Sequence, residues 1–258
     1  MWDKTVPAGT KAQSFTWKAG PVSLYIKTEG PVIEAAFEYG GTDAEPSWEE
    51  SDRGPSEETT WNRFITADGS DRHIIPVLPD LPLVIEPEKP VTMLPGTNAQ
   101  FFLRLPLYAS ITAGGRNTGP QTLMEIPGLR MSKTWFGSTL EGDLCYSLKC
   151  TFFTDKPEPV PLSAATRMNL VNDSKEPLRI EKLCLHAEYL ELFIDGDEVW
   201  TNSVEVRYQG DGQESSISIG EGAPEYCSGN STYVKPRNIN RKSFVQKTFD
   251  FFRLVTGV

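Results

Sequence analysis

Two histidines, four cysteines and a few adjacent carboxylates are the groups from which this chain would have to build a reaction centre. His73 sits in Asp71-Arg72-His73-Ile74, beside an apolar run, and His186 follows Cys184-Leu185. Metal sites recruit two or more His or Cys ligands at defined spacing. No such cluster and no C-x-x-C occurs, so neither a metal nor a cofactor is expected. Cys145 and Cys150 are an odd number of residues apart; on one strand they face opposite sides and cannot bridge each other. The four thiols, Cys145, Cys150, Cys184 and Cys227, read as small apolar residues. A Ser-His-Asp triad can assemble from distant positions, but no G-x-S-x-G elbow marks a nucleophile. Glu49/Glu50, Glu57/Glu58, Glu141/Asp143 and Asp195/Asp197 are carboxylate pairs. Glycosidic chemistry needs two carboxylates about 5–10 Å apart across a cleft, and adjacency in a turn does not supply that. The glycine-rich run 112–119 lacks the Gly-Lys-Ser/Thr of a phosphate loop and reads as a hairpin loop with Arg116 at its tip.

Recognition chemistry is densest in residues 130–146. Trp135-Phe136-Gly137 followed by Glu141-Gly142-Asp143 reads as a strand, a tight turn and a second strand. An exposed Trp135 flanked by Arg130 and Glu141 makes a stacking surface for a ring-shaped ligand, and these three are the candidate ligand-binding residues. The competing reading puts Trp135 in the core and Glu141 in a turn. No residue is given a catalytic role.

These residues must be carried by strands. Val22, Leu24 and Ile26 alternate with polar neighbours, as do Leu144, Tyr146, Leu148, Cys150 and Phe152, Leu190, Leu192 and Ile194, and Val204, Val206 and Tyr208. Phe101, Leu103 and Leu105 alternate with Phe102 and Arg104. Period two places one row on a core. Asp195-Gly196 is a hairpin signal, and Glu29-Gly30-Pro31, Leu94-Pro95-Gly96 and Gly210-Asp211-Gly212 are turns. The acidic stretch 40–60 reads as a solvated loop, and the proline-rich run 154–161 as a stiff connector.

The fold class expected is all-β: two β-sandwich-like domains with an amphipathic C-terminal helix. The first covers 1–155. The second, 162–240, is immunoglobulin-like in pattern, with strands near 163–172, 178–185, 188–195, 198–208 and 215–220. Ser243 and Gln246 match a capping box that opens a helix within 241–258. Its apolar arc includes Phe244, Phe249, Phe251 and Phe252, the candidate interface residues of a homo-oligomer. Capping of the chain's own core and a membrane surface are the other places such a helix goes.

The formal net charge is −10. Residues 235–258 carry +5 and the remainder −15. An acidic chain repels phosphate backbones, so nucleic acid is not an expected partner. No run approaches the roughly 20 apolar residues of a membrane span, and the N-terminal residues lack a secretory apolar core. The cytoplasm is the compartment expected.

Four stretches carry a resemblance: Gln100-Phe-Phe-Leu-Arg-Leu-Pro-Leu107, Thr134-Trp-Phe-Gly137, Gly142-Asp-Leu-Cys-Tyr-Ser-Leu148 and Asn172-Asp-Ser-Lys-Glu-Pro-Leu-Arg-Ile-Glu-Lys-Leu-Cys-Leu185. With Arg241 to Gly257, they resemble a prokaryotic family catalogued as domain of unknown function 432. The resemblance brings no activity and no functional residues with it. The function expected from the residues is a non-enzymatic binding or assembly module. The alternatives are a small-molecule or carbohydrate-active enzyme with a site near Trp135, and a peripheral membrane or dimerisation role for the C-terminal helix.

Overall fold

The computed structural model describes residues 2, 4–115, 118–137, 142–210, 216–229 and 232–238, without side chains at 41–44, 115, 118 and 119. In chain order the first strands are β1 (Lys4–Thr5), β2 (Gln13–Glu29), β3 (Val32–Glu50), β4 (Asn62–Ile65), β5 (Arg72–Val77) and β6 (Leu83–Pro87). Next come β7 (Val91–Met93), β8 (Thr97–Pro106), β9 (Tyr108–Gly115), β10 (Thr118–Pro127), β11 (Lys133–Phe136) and β12 (Asp143–Cys150). The last are β13 (Ser163–Asn172), β14 (Leu178–Ile180), β15 (Leu183–Leu185), β16 (Leu192–Asp195), β17 (Glu198–Thr201), β18 (Val204–Tyr208) and β19 (Ser216–Ile219). Among the described residues the one helical element is a 3-10 turn, Ala187–Tyr189. The chain is all-β there, as expected. The expected helix over 241–258, with Phe244, Phe249, Phe251 and Phe252, lies outside the described residues.

Compactness divides the chain into two units that are each discontinuous in sequence. Unit 1 holds Met1–Val77, Pro106–Leu129 and Val160–Leu162; unit 2 holds Leu78–Leu105, Arg130–Pro159 and Ser163–Val258. The proline-rich connector is thus one of several places where the chain changes unit.

Unit 1 contains two antiparallel sheets, β2-β3-β4 and β1-β5-β9-β10. The inward row Val22, Leu24, Ile26, Ile33 and Ala35 of the first meets Ile74, Ala109, Ile111 and Ile126 of the second in one core. The β2–β3 turn is Gly30-Pro31, with Gly30 at φ +55°, the left-handed first position that a II′ hairpin turn demands. Leu162 joins this core at φ +56°, a backbone conformation that strains a non-glycine residue by about 1–3 kcal/mol. Burying its side chain contributes about 1.5–3 kcal/mol, enough to offset the strain. Gly128 lies against it: a Cβ there would come within 2.6 Å of the Leu107 carbonyl oxygen and of Leu162 Cβ.

The acidic stretch is not a loop from residue 40. β3 continues through it to Glu50, paired with β2 as far as Phe15. Trp48 opposes Trp17 and stacks on Phe15 at 5.1 Å, and this apolar hold outweighs the local acidity. Only the later part, residues 51–61, leaves the sheet, and Glu38 pins it. The Glu38 carboxylate accepts from Ser56 N (2.7 Å), Ser56 Oγ (2.5 Å), Thr59 Oγ1 (2.6 Å) and Tyr25 OH (3.3 Å).

Unit 2 is built on a six-stranded sheet ordered β16-β17-β13-β18-β19, with β8 also paired to β13, and on a mixed sheet β11-β12-β6-β15. The Asp195-Gly196 hairpin forms as expected, with Gly196 at φ +61°. The expected strand 163–172 coincides with β13. Three other expected strands differ. The run 178–185 bends at Glu181-Lys182 into β14, which pairs with β7, and β15, which pairs with β6. The run 198–208 breaks at Asn202. This buried side chain accepts from Glu191 N and donates to Glu191 Oε2 and the Gly222 carbonyl, so the chain passes from β17 on one side of β13 to β18 on the other. In the run 188–195 the first residues form the 3-10 turn and the strand starts at Leu192.

Two side-chain assemblies lock unit 2. Arg104 on β8 forms a two-pronged ion pair with Glu198 on β17 (2.6 and 2.9 Å) and donates to the Pro157 and Glu158 carbonyls. Both side chains are nearly sealed, 11% and 6% exposed. Beside them Lys156, Trp200, Tyr226 and Arg167 form a column. Lys156 Nζ lies 4.9 Å from the Trp200 ring, Trp200 stacks on Tyr226, and the Arg167 guanidinium covers Tyr226 at 5.7 Å. Cations at both ends of stacked π-systems are attracted by the ring quadrupoles.

The Ser56 and Thr59 hydrogen bonds hold the Glu38 carboxyl at a pKa of about 2, well below its ordinary value. A carboxylate depressed in the folded state contributes its hold fully above the unfolded value near 4.5 and loses it as pH falls through about 2. We expect the Ser56 amide to stay protected from hydrogen exchange at pH 5 and pH 3 and to lose protection near pH 2. In Glu38→Gln the protection should be weak at every pH.

Candidate functional site

The mixed sheet β11-β12-β6-β15 carries the chemistry of interest, because its two faces are used differently. Strand β6 lies at its centre, parallel to β12 and antiparallel to β15. Leu83, Val84 and Ile85 are all buried, so both faces of β6 are covered. A strand covered on both sides reads as a continuous apolar run and does not alternate.

On one face Val84, Phe136, Cys145 and Cys184 form a closed cluster. Cys145 lies on β12 and Cys184 on β15, each a neighbour of β6. The two thiols are hydrogen bonded to each other, and Cys145 Sγ also donates to the Asp143 carbonyl at 3.4 Å. That mutual bond draws the Cys145 thiol below its ordinary pKa, against burial and the negative charges of Asp143 and Glu188. The same bond, with burial, pushes Cys184 far up. All four cysteines are free. The strand between Cys145 and Cys184 keeps their backbones about two 4.8 Å spacings apart, beyond the reach of a disulfide.

His186 follows β15, and its Nδ1 lies 3.0 Å from Glu188 Oε1. Glu188 Oε2 is buried with no hydrogen-bond partner among the described residues. The charge of Glu188 is felt at both thiols. Thiol, imidazole and carboxylate are therefore gathered at one end of this sheet. Among the described residues no three His, Cys, Asp or Glu side chains are placed to hold a metal ion. Sequence reasoning missed this gathering, because it depends on β6 lying between two segments nearly forty residues apart.

The other face carries the tryptophan. Trp135 on β11 stands directly opposite Leu144 on β12. Trp135 is 51% exposed and Leu144 43% exposed. The alternation that would turn Leu144 inward fails at this end of β12: Cys145 takes the buried position beside Val84 and Cys184, which turns Leu144 out. Arg130 is exposed in the segment leading into β11. Glu141 lies outside the described residues, so of the three candidate ligand residues only Arg130 and Trp135 can be placed.

A family model described as "Protein of unknown function (DUF432)" matches residues 1–253. The chain belongs to this family. The four stretches and the C-terminal end that carried the resemblance fall within the match or reach its end. Comparison with curated proteins and with solved structures gives no match.

Burial sets the accessibility of the family member's thiols. Cys145, Cys184 and Cys227 are buried, and burial pushes Cys150 up to about 12. We expect no thiol of the native protein to be alkylated by iodoacetamide within minutes at pH 8, and all four after denaturation, read by intact mass. Rapid labelling of Cys145 in the native state would contradict the packing described for it.

Proposed function

We propose that the chain is a non-enzymatic binding or assembly module, and that its contact surface is the β11–β12 edge bearing Trp135 and Leu144. The observation that supports this is the exposure of a tryptophan and a leucine as direct cross-strand neighbours. Isolated exposed apolar residues are ordinary, but a large aromatic paired with an aliphatic on a rigid sheet has the make-up of an interface anchor. Cys145 and Cys184 of the same sheet are turned to its closed face, away from that surface.

In this reading both units are β-sandwich-like scaffolds, the second immunoglobulin-like in pattern, and such scaffolds carry function on grafted surfaces. Unit 1 supports it best, since two sheets share one core there. Four free cysteines favour a reducing compartment, hence the cytoplasm. The exposed indole ring of Trp135 also suits a second reading, a small-molecule site completed by Arg130 and Glu141.

A photo-crosslinking amino acid placed at Trp135 in living cells separates these. We expect discrete protein adducts from position 135 and none from a control placed at Ile65, which is exposed but isolated. Equal adducts from both positions, or none from 135, would contradict the module. Trp135→Ser should leave stability within about 0.5 kcal/mol, as expected of a surface residue.

A further inference from the structure

We propose that the core of unit 1 holds a small monovalent anion against Arg72. Arg72 on β5 is 0% exposed, and an arginine does not escape burial by giving up its proton. Its Nη2 donates to the Gly30 carbonyl at 2.7 Å and to Thr66 Oγ1 at 2.8 Å. Nε and Nη1 are buried and have no hydrogen-bond partner among the described residues. No carboxylate among the described residues pairs with the guanidinium, and burial draws its pKa down.

The pairing register shows why this charge is isolated. Arg72 falls in the inward row of β5 with Ile74, a member of the core. It stands opposite Ala113 on β9, and on its other side Val6 N donates to its carbonyl. Both neighbours are buried and apolar. From the facing sheet, the inward row of β2 runs Val22, Leu24, Ile26 and then Thr28. Thr28 is buried opposite Ile33, and its Oγ1 also lacks a partner among the described residues. Gly30, whose carbonyl Arg72 reaches, is only two residues further on. The unpaired hydroxyl and the unpaired guanidinium nitrogens therefore lie at the same end of one core.

Unpaired donors by themselves would suit water. Water meets the hydrogen bonds and leaves the charge, and an uncompensated charge in apolar surroundings is far costlier than an unpaired amide. Arg104, nearly sealed within unit 2, is matched by the Glu198 carboxylate. An anion supplies for Arg72 what Glu198 supplies for Arg104. One guanidinium balances one negative charge, so a halide-like ion fits, and a phosphate dianion would leave net charge behind. The Thr28 hydroxyl adds a further donor to the same ion.

The test uses the full-length protein and sodium bromide. Anomalous diffraction at the bromine edge, from crystals soaked in bromide, should give a peak in contact with Arg72 Nη1 or Nε. In solution, replacing gluconate by bromide at constant ionic strength should raise the thermal midpoint by about 5 °C, saturating by about 100 mM. Arg72→Met should abolish this dependence. Thr28→Val keeps the charge and should raise the half-saturating bromide concentration about tenfold, which keeps the test open should Arg72→Met fail to fold. A water, or a carboxylate of the chain itself, found at the Arg72 nitrogens overturns the proposal. So does a peak without the solution effect, which would mark binding at crystal concentration only. Bromide dependence unchanged in the variants overturns it as well.

Discussion

Unit 2 depends on one interior ion pair. Arg104 and Glu198 are almost wholly removed from water, and charges in such a place are tolerated only when every hydrogen-bonding direction is met. Here nearly all are. Glu198 takes both prongs of the guanidinium and the Val199 amide, and Arg104 takes the Pro157 and Glu158 carbonyls as well. Three prolines deprive the connector of amides with which to fasten itself. One side chain therefore joins β8, β17 and the connector that leads from the mixed sheet back to β13. The pairing of Phe102 with Phe153, and the contact of Phe101 with Phe152, continue that seam towards β12. Breaking the pair would leave an uncompensated charge inside, which is costlier than never having had one.

The mixed sheet shows how the same segment can serve core and surface. Parity along β12 is decided at its inner end by Leu148 and at its outer end by Cys145. With both faces of β6 covered, β12 buries side chains on either face, and Leu144 is its exposed large apolar residue. Exposure at Trp135 and Leu144 is thus a consequence of how Cys145 packs. Cys145 and Cys184 belong to the covered face, and Trp135 to the open one. A contact role for the open face follows from that division more readily than a reaction does.

Much of this was legible in the residues. Alternation in β2 and β18 marks strands with one inward row, and Asp195-Gly196 and Gly30-Pro31 supply the φ their turns need. The residues left Trp135 open between surface and core, and its place on β11 turns it outward. Where the reading differed, a non-local partner decided. Trp48 and Phe15 hold an acidic segment in β3, Asn202 breaks a run that alternates perfectly well, and Glu181-Lys182 divides another between two sheets. The Cys145–Cys184 contact was invisible because it is set by strand order. So was the exchange of segments between units, because linear composition records neither.

The most direct measurement is a double-mutant cycle on the interior pair, with Arg104→Met, Glu198→Leu and both together, read by urea unfolding. The account predicts that each single substitution lowers stability by about 3–5 kcal/mol, and that the double variant loses far less than the sum. Single losses within about 0.5 kcal/mol that simply add would contradict it, since the pair would then be a bystander in the fold that carries the Trp135 edge.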